Sequence, residues 1–472
     1  MPRARALLLP LLALAACQPS AARRGGTVLF ASGADLQSID PLLTLHPLAR
    51  QVQRYVLLTT LARYDSTLTP RPYLARRWER SPDGRALTFH LEPAVHWHDG
   101  APTTARDVKW TLDAARDPAT GYPRAADLAG LDSVTVRDDS TVTLRFGSAA
   151  SRFPDVLTDL AILPAHLLDT VPHARLRTAH WNVEPVGNGP FRFVAHEPNR
   201  RWVFAANPDF PPALGGPPAL DRFIVVVVDE PTTKLAALTA GELDMAGIQP
   251  AHATFVERDP SLAVVTYPLM LTYGIVLNMR RPPFDALAVR RAVSRSLDRK
   301  EIVDGYLYGF GRPATGPVPP DVPGYLPMAV DRGADAGKTH VRFELLTVGS
   351  GEAALEQMVQ AQLGRAGFEV VIRQLELSAF LARVYGPSHD FEAAVLGITG
   401  DPGLGYLGPL AALAGLTPAA DPSAAQRLFA DSVPVAFLYH ARGLQGMNRR
   451  VRGVTMDLRG ELPTVHDWRV SR

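Results

Sequence analysis

The sequence predicts an α/β fold, and three stretches carry that prediction. Residues 341–347 form an apolar strand, 352–365 a helix and 368–377 a second strand, which indicates a βαβ unit with a parallel pair. Residues 222–229 contain the run IVVVV, which is too short for anything but a buried strand. Residues 83–113 combine two turns, a strand and a capped helix. The chain of 472 residues is long enough for two or three domains.

The most readable stretch contains Asp-Gly turns at 83–84 and 99–100, where glycine takes positive φ readily. Between them, alternation of apolar residues over 86–91 predicts a half-buried strand. A helix begins at Thr104, because its hydroxyl can cap the first turn while Asp107 reaches back.

The other elements follow from similar local signals. Short apolar or alternating runs predict strands at 27–32, at 273–278 and on both sides of a turn within 135–146. Helical spacing of apolar residues, or a start signal at Pro231 or Asp285, predicts helices over 52–61, 231–241 and 285–297.

Composition excludes one class of function. The 49 basic residues nearly balance the 47 acidic ones, so the chain lacks the electrostatic signature of a nucleic-acid-binding protein. Hydrophobic residues make up 46% of the chain, which is ordinary for a globular protein.

The N-terminus predicts export. Arg3 and Arg5 precede an apolar run over 6–16, which is too short to span a bilayer and suits a signal peptide. Residues 14–17 resemble a lipoprotein-processing motif in which Cys17 becomes the lipidated first residue. The alternative is that Cys17, the only cysteine, is a small buried hydrophobe. We predict a signal peptide over 1–17, a lipid anchor at Cys17 as the only attachment to the membrane, and a tether over 18–26.

One cluster suggests an enzyme. His96 and His98 would point the same way on a strand, and with Asp99 they offer a common metal-ligand spacing. The alternative interpretation is that these residues only form the turn before the capped helix. We predict no metal, no cofactor and no enzymatic activity, and we keep a metal-dependent envelope hydrolase using His96, His98 and Asp99 as the alternative.

The order of these motifs resembles the bacterial extracellular solute-binding proteins of family 5, the peptide-, dipeptide- and oligopeptide-binding proteins of ABC transporters. The first block matches this family at Pro72, Leu74, Ala75, Trp78, Asp83, Gly84, Phe89, Leu91, Val95, His98, Asp99, Gly100, Pro102, Thr104, Ala105, Asp107 and Val108. Further similarity lies at 38–41, 185–191, 277–303 and 433–468, so it covers nearly the whole mature chain. Asn188 stands where the family usually has threonine, and we expect this turn to survive because asparagine tolerates left-handed geometry.

The resemblance implies a two-lobed, periplasmic-binding-protein-like fold of type II, with mixed sheets, an extra N-terminal subdomain and a hinge of two strands near Tyr267 and Val433. We call residues 27–267 together with 433–472 lobe I, and residues 268–432 lobe II; the extra subdomain covers about 42–182. The family's function implies a peptide or similar solute, captured between the lobes and delivered to an ABC permease in the periplasm or cell envelope. We expect a monomer, and the identity of the solute stays open.

The resemblance also implies a ligand site. In peptide-binding members the solute adds as a strand to main-chain edges, and a carboxylate holds its α-ammonium. The residues that we predict to contact solute are Asp401 as that carboxylate, Gly397, Ile398 and Thr399 as the main-chain edge, His46 in the 44–46 loop, and Tyr273 and Asn278 on a strand of lobe II. The alternative is that residues 401–403 merely form a turn. The region before Val433 is shorter than is usual in the family, which keeps a non-transporting scaffold or sensor as a further alternative.

Overall fold

The structure, a computed structural model, describes residues 26–149, 152–329, 340–419 and 421–471. The predicted signal peptide, Cys17 and the tether up to residue 25 lie outside these residues. None of the helices in the described ranges combines the length and the apolar character needed to cross a membrane.

The described residues contain nineteen strands. Their bounds are β1 (Thr27–Ser32), β2 (Ala62–Tyr64), β3 (Pro70–Pro72), β4 (Ala75–Arg80), β5 (Ala86–Leu91), β6 (Leu131–Asp138), β7 (Thr141–Phe146), β8 (Phe191–Glu197), β9 (Arg201–Ala206), β10 (Arg222–Val227), β11 (Met245–Gly247), β12 (Leu262–Leu277), β13 (Gly311–Pro313), β14 (Val341–Val348), β15 (Phe368–Leu375), β16 (Ala393–Thr399), β17 (Val435–Asn448), β18 (Val451–Arg452) and β19 (Arg469–Val470).

The helices are short. Their bounds are α1 (Pro47–Val52), α2 (Ala105–Arg116), α3 (Val156–Asp159), α4 (Ala165–Leu168), α5 (Pro231–Thr239), α6 (Ala253–Arg258), α7 (Leu287–Arg295), α8 (Arg299–Tyr306), α9 (Ala354–Arg365), α10 (Leu377–Tyr385), α11 (Leu407–Ala414) and α12 (Pro422–Ser432). A π-helical turn, Gln53–Leu57, continues α1.

One long mixed sheet runs through both lobes. Its strand order is β15-β14-β16-β12-β17-β11-β1-β10-β9-β8, and β13 pairs with β17. β1 runs parallel to β10 and β14 runs parallel to β15, whereas β12 is antiparallel to β16 and β17. A separate antiparallel sheet, β4-β5-β7-β6, lies in the region of the predicted extra subdomain. The α/β prediction with mixed sheets is confirmed.

Two strands connect the lobes. β12 pairs with β17 along most of its length, and the register shifts between Pro268 and Thr272. The part of β12 before this shift pairs with Arg442–Asn448, and the part after it pairs with 435–440. A register shift marks a local bend in a strand pair. The strand pair therefore has its irregularity where the two predicted lobes join.

Lobe II buries both faces of its part of the sheet. Ile275 and Leu345 contribute to one apolar cluster, with helices α7, α8 and α9. Val276 and Leu346 contribute to the opposite cluster, with α10, α11 and α12. Successive strand residues point to opposite faces, so each strand supplies both clusters. The short region before Val433 thus forms two helices that cover one face of the sheet.

Local predictions were mostly confirmed, with three differences. The structure forms β5 over 86–91 and the capping box between Thr104 and Asp107, as predicted. The helix predicted over 52–61 instead starts at Pro47, because Pro47 occupies the first turn and the ring of His46 caps it. Asp285 does not cap α7, since the residue before that helix is Ala286 and it provides no side-chain cap.

The third difference concerns β12. The sequence predicted a strand over 273–278, whereas β12 begins eleven residues earlier, at Leu262. Pro268 interrupts the apolar pattern in this part of the chain. A proline is tolerated at such a position because it stands beside the register shift, where the regular hydrogen-bond ladder is already interrupted.

Candidate ligand-binding site

An exposed strand edge in lobe II is the first component of the site. β12 pairs with β16 along the whole of β16, from Leu277↔Ala393 to Leu271↔Thr399. On the other side of β16, β14 pairs only with Ala393 and Ala394. Within the described ranges, the rest of that edge therefore has no strand partner, and both Gly397 and Thr399 are exposed.

The register shows which main-chain groups face this edge. The Gly400 N–H donates to the Met270 carbonyl at 2.7 Å, and the Asn278 N–H donates to the Glu392 carbonyl at 2.9 Å. In an antiparallel pair the residues that bond across alternate with those that do not. The even-numbered residues of β16 thus bond to β12, and the groups of Gly397 and Thr399 point to the open edge.

Ile398 has a different position from its two neighbours. Its main chain faces β12, and its side chain is buried in the apolar cluster on the α11 side of lobe II. The ring of Tyr273 lies against Gly397, where a methyl group would be 3.2 Å from the Tyr273 Cζ. Glycine at this position therefore leaves room for an aromatic wall beside the edge.

Asp401 follows β16 directly. Its Oδ1 accepts a hydrogen bond from the Gly405 N–H and its Oδ2 accepts one from the Tyr406 N–H, both at 3.0 Å. These bonds fix the carboxylate at the turn that leads into α11. A carboxylate has about four acceptor sites, so one further bond to each oxygen remains possible. Asp401 is only partly buried and adjoins the exposed edge of β16.

The two lobes touch beside Asp401. The guanidinium of Arg152, from lobe I, donates to the carbonyls of Gly403 at 3.1 Å and Pro402 at 3.2 Å. Apolar contact accompanies these bonds, because Leu68 and Leu458 of lobe I pack with the lobe II cluster that contains α11. The turn after β16 is thus the place where the lobes meet.

A second carboxylate approaches Asp401 from lobe I. A methyl group on Gly403 would lie 2.9 Å from Asp155 Oδ2 and 3.1 Å from Asp401 Oδ1. The hydroxyl of Tyr64 donates to Asp155 and orients it. Sequence analysis missed Arg152, Asp155 and Tyr64, because nothing local connects them to a turn that lies roughly 250 to 340 residues further along the chain.

The other predicted contact residues have local roles in this structure. His46 caps α1, since its Nδ1 accepts a hydrogen bond from the Ala49 N–H at 3.3 Å. Burial lowers the pKa of His46, which favours the neutral ring that such a bond requires. Asn278 is fully buried and donates to the carbonyls of His389 and Phe391. Tyr273 stacks on Tyr439 with ring centroids 4.9 Å apart.

The histidine cluster is a structural feature of lobe I. His98 Nδ1 accepts from the Gly187 N–H at 3.2 Å, and Nε2 lies 3.1 Å from the Gly189 carbonyl. Burial lowers the pKa of His98 to about 4, so this ring is neutral at physiological pH. Asp99 instead faces His166 at 2.8 Å. Across the described part of the chain, no group of three or more candidate ligands could hold a metal ion.

With this geometry in place, the comparisons decide the family. The model for bacterial extracellular solute-binding proteins, family 5 middle region, matches residues 69–412. The chain belongs to this family. The predicted family is confirmed, and the comparisons support neither the hydrolase nor the scaffold alternative.

Relatives of this family 5 protein include a provisionally named ABC transporter peptide-binding protein of Brucella ovis, 28% identical over 350 residues. That match covers 70% of this chain and 65% of the Brucella protein, so the chain spans less than two thirds of that relative. Di/tripeptide-binding protein 4 of Pseudomonas aeruginosa is 29% identical over 437 residues, which cover 84% of this chain and 80% of the relative.

Solved structures share the fold of this family 5 protein. The oligopeptide-binding protein AppA of Bacillus subtilis, in complex with a nonapeptide, gives a TM-score of 0.75 at 22% identity over 95% of this chain and 99% of AppA. The substrate-binding protein CtaP of Listeria monocytogenes gives a TM-score of 0.83 at 19% identity, over 95% of this chain and all of CtaP. The two-lobed fold is confirmed.

Proposed function

We propose that this chain is the substrate-binding component of an ABC transporter, and that it binds a di- or tripeptide or a similar solute between its lobes. The observation that carries the proposal is the exposed edge at Gly397 and Thr399, which leads directly to Asp401 where the lobes meet. The printed names of the Brucella and Pseudomonas relatives agree with a peptide as solute.

The edge of β16 would bind the solute's main chain. An extended peptide that lies along this edge pairs with the N–H and C=O groups of Gly397 and Thr399, as in β-strand addition. Main-chain pairing gives affinity without reading side chains, so peptides of different sequence can be accepted. Ile398 supports the edge from inside the lobe, because its side chain is buried.

Asp401 would bind the α-ammonium of the peptide. The remaining acceptor sites of its carboxylate can take charge-assisted hydrogen bonds from an ammonium group. Asp155 stands across Gly403 and adds a second negative charge from the other lobe. An ammonium between the two carboxylates would therefore hold lobe I and lobe II together.

Capture follows from this arrangement. A ligand that contacts both lobes stabilises the closed arrangement over an open one, because only the closed arrangement makes all the contacts. The register shift in the β12–β17 pair is the place where the lobes would rotate. Arg152 would contribute to the closed arrangement through its bonds to the turn after β16.

The cellular setting is part of the proposal. A lipid on Cys17 would anchor the protein to the membrane, and the protein would work as a monomer in the periplasm or cell envelope. The partner would be an ABC permease that receives the solute. Metabolic labelling with a fatty acid, lost in Cys17→Ser, tests the anchor.

The test of the site combines a change in the protein with a change in the ligand. Trialanine and N-acetyl-trialanine are titrated into wild type and Asp401→Asn by calorimetry. A hydrogen bond to a charged group is worth about 1.5–3 kcal/mol, or roughly 10- to 100-fold in affinity. We expect that loss for trialanine in Asp401→Asn, and no loss for the acetylated peptide.

A matched control separates recognition from local structure. Asp421 caps α12, and its carboxylate accepts hydrogen bonds from two backbone N–H groups, as the carboxylate of Asp401 does at its own turn. Asp421→Asn should leave both affinities unchanged. Equal losses for the two peptides in Asp401→Asn would mean that Asp401 only supports its turn. No binding of any peptide in a di- and tripeptide panel would exclude peptide as the solute.

A further inference from the structure

A cavity in lobe I lies beside the β2–β3 strand pair. Its volume is about 430 Å³, and it is open to solvent. Four arginines from separate parts of the chain line it, and its acidic lining residues are Asp65 and Glu92. The cationic residues are Arg63 on β2, Arg71 on β3, Arg76 on β4 and Arg459 near the C-terminus.

Two of these arginines stand directly opposite each other. The β2–β3 register pairs Arg63 with Arg71, and like charges in this position repel. Arg71 is neutralised by Asp65, whose Oδ2 lies 2.8 Å from its Nε. Arg63 forms no ion pair with any described residue; it lies over the ring of Tyr73, 4.0 Å from the centroid.

Arg76 reaches the same cavity from an irregular strand position. Ala75 pairs with Leu91 and Arg77 pairs with His90, so Arg76 is the extra residue of a β-bulge. A bulge redirects a side chain and often occurs beside a functional site. Arg76 is exposed and, like Arg63, has no carboxylate partner in the part of the chain that the structure describes.

A buried polar group without a partner adjoins these charges. Tyr73 lines the cavity and is 6% exposed, and its hydroxyl makes no hydrogen bond within the described residues. Buried hydroxyls normally have partners, because an unsatisfied one is unfavourable. Arg459, by contrast, is fully engaged, since Asp457 accepts bonds from its Nε and Nη2. Arg63 also lies over the ring of Tyr55, so its contacts are aromatic faces and not anions. Among the described residues, Arg63 and Arg76 therefore have no carboxylate partner and the Tyr73 hydroxyl has no hydrogen-bond partner.

We propose that this cavity binds an oxyanion, carboxylate or phosphate, through Arg63 and Arg76. Guanidinium groups bind such anions in a planar, two-bonded geometry, and here two of them face one cavity without a carboxylate of their own. The oxyanion is either a small free anion or the carboxylate of an acidic peptide. The free-anion form of this proposal does not depend on the proposed function. The acidic-peptide form rests on it, and Tyr64, which lines the cavity and donates to Asp155, connects the cavity to the Asp401 site.

The first arm of the test uses free anions. Inorganic phosphate and citrate are each titrated into the full mature protein by calorimetry at low ionic strength, where surface charge is least screened. The double variant Arg63→Gln/Arg76→Gln should weaken binding at least about tenfold. Arg77→Gln is the matched control, because Arg77 is the next residue of β4, is exposed and lies outside the cavity lining.

The second arm asks whether the oxyanion belongs to the solute. Trialanine and Ala-Glu-Ala are titrated into the same variants. If the double variant loses affinity for Ala-Glu-Ala and keeps its affinity for trialanine, the cavity binds the acidic peptide. If the double variant loses affinity for phosphate or citrate but binds both peptides as wild type does, the cavity binds a free anion.

Three results overturn the proposal. In the first, neither free anion binds and the wild type binds the two peptides with equal affinity. In the second, the double variant and Arg77→Gln lose anion affinity equally. In the third, the double variant binds the anion as tightly as wild type. Because Arg76 is exposed, Arg76→Gln alone serves as a second variant that should fold. If no peptide of the di- and tripeptide panel binds, the peptide function is refuted while the anion arm can still succeed or fail on its own.

Discussion

Asp159 should be a main source of stability in lobe I, because three arginines converge on it. Arg50, Arg54 and Arg124 all donate to its carboxylate. The Asp159 side chain is 11% exposed, so water screens these charges weakly. Asp159→Asn keeps the shape of the side chain and removes its charge. We expect a loss of stability at neutral pH that shrinks as the pH falls.

The pKa of Asp159 gives the size of the effect. Burial raises this pKa, but the charges of Arg54, Arg50 and Arg124 lower it by more, so that it falls from 3.8 to about 2. One pKa unit corresponds to 1.36 kcal/mol, so the ionised carboxylate contributes about 2 kcal/mol to the free energy of unfolding.

The sign of the pH dependence follows from the direction of the shift. The folded state has the lower pKa, so the contribution is fully present above about pH 5 and is lost between pH 3.8 and 2. At pH 3 about half of it should be gone. The difference in unfolding free energy between wild type and Asp159→Asn should therefore fall from about 2 kcal/mol at pH 6 to about 1 kcal/mol at pH 3.

Urea unfolding, followed by circular dichroism at both pH values, measures this difference. Asp113→Asn is the control, because Asp113 pairs with Lys109 on the surface of α2 and such pairs contribute roughly 0–1 kcal/mol. A difference that is the same at pH 3 and pH 6, or one below about 0.5 kcal/mol at pH 6, would refute the reasoning.

Two further predictions concern the lobe contact and a glycine turn. Arg152→Ala removes the bonds to the carbonyls of Pro402 and Gly403, so peptide should dissociate faster, by roughly 3- to 10-fold in stopped-flow measurements. Gly187→Ala places a methyl group 2.0 Å from the Leu57 carbonyl oxygen, so it should lower the free energy of unfolding by about 1–3 kcal/mol in urea titrations.

Each of these two predictions has a control of the same chemistry. Arg137→Ala removes an exposed arginine of β6 and should leave peptide dissociation unchanged. Gly130→Ala adds a methyl group to open space, with no described atom within 4 Å, and should leave stability nearly unchanged. If Arg152→Ala and Arg137→Ala change peptide dissociation equally, the lobe contact does not hold the peptide. If Gly187→Ala and Gly130→Ala change stability equally, the close approach to Leu57 does not limit stability.

Elements with local signals could be predicted from the sequence almost to the residue. Apolar residues alternate along β5 between two turns, and α2 begins with a capping box. The signals for both elements therefore come only from neighbouring residues. Asn188 shows the limit of such reasoning. The prediction rested on left-handed geometry, but Asn188 does not adopt positive φ and residues 185–188 form an irregular loop. Asn188 is instead buried, accepting from the Thr59 N–H and donating to Thr103.

The candidate site was less predictable, because its parts are distant in the chain. Among the described residues, the edge of β16 has no strand partner after Ala394, where β14 stops pairing, and no property of residues 397–399 reveals this. Arg152 meets residues 402–403 through a contact between the lobes, about 250 residues apart in the chain. Asp401 could be placed by resemblance alone, and its contact with Asp155 across Gly403 required the tertiary structure.

The two clearest motifs of the sequence form one packing unit. The His98 N–H donates to the Gly187 carbonyl at 2.7 Å, and the imidazole ring of His98 contacts the backbone at Gly187 and Gly189. The Gly189 N–H in turn donates to the Leu57 carbonyl at 2.8 Å. These motifs therefore hold lobe I together through one histidine ring and through two glycines whose backbone approaches Leu57 too closely for a side chain. Recognition at the edge of β16 would instead use main-chain groups, which most residues can supply. The lobe I motifs therefore require particular residues, whereas the proposed solute contacts require mainly the main chain of lobe II.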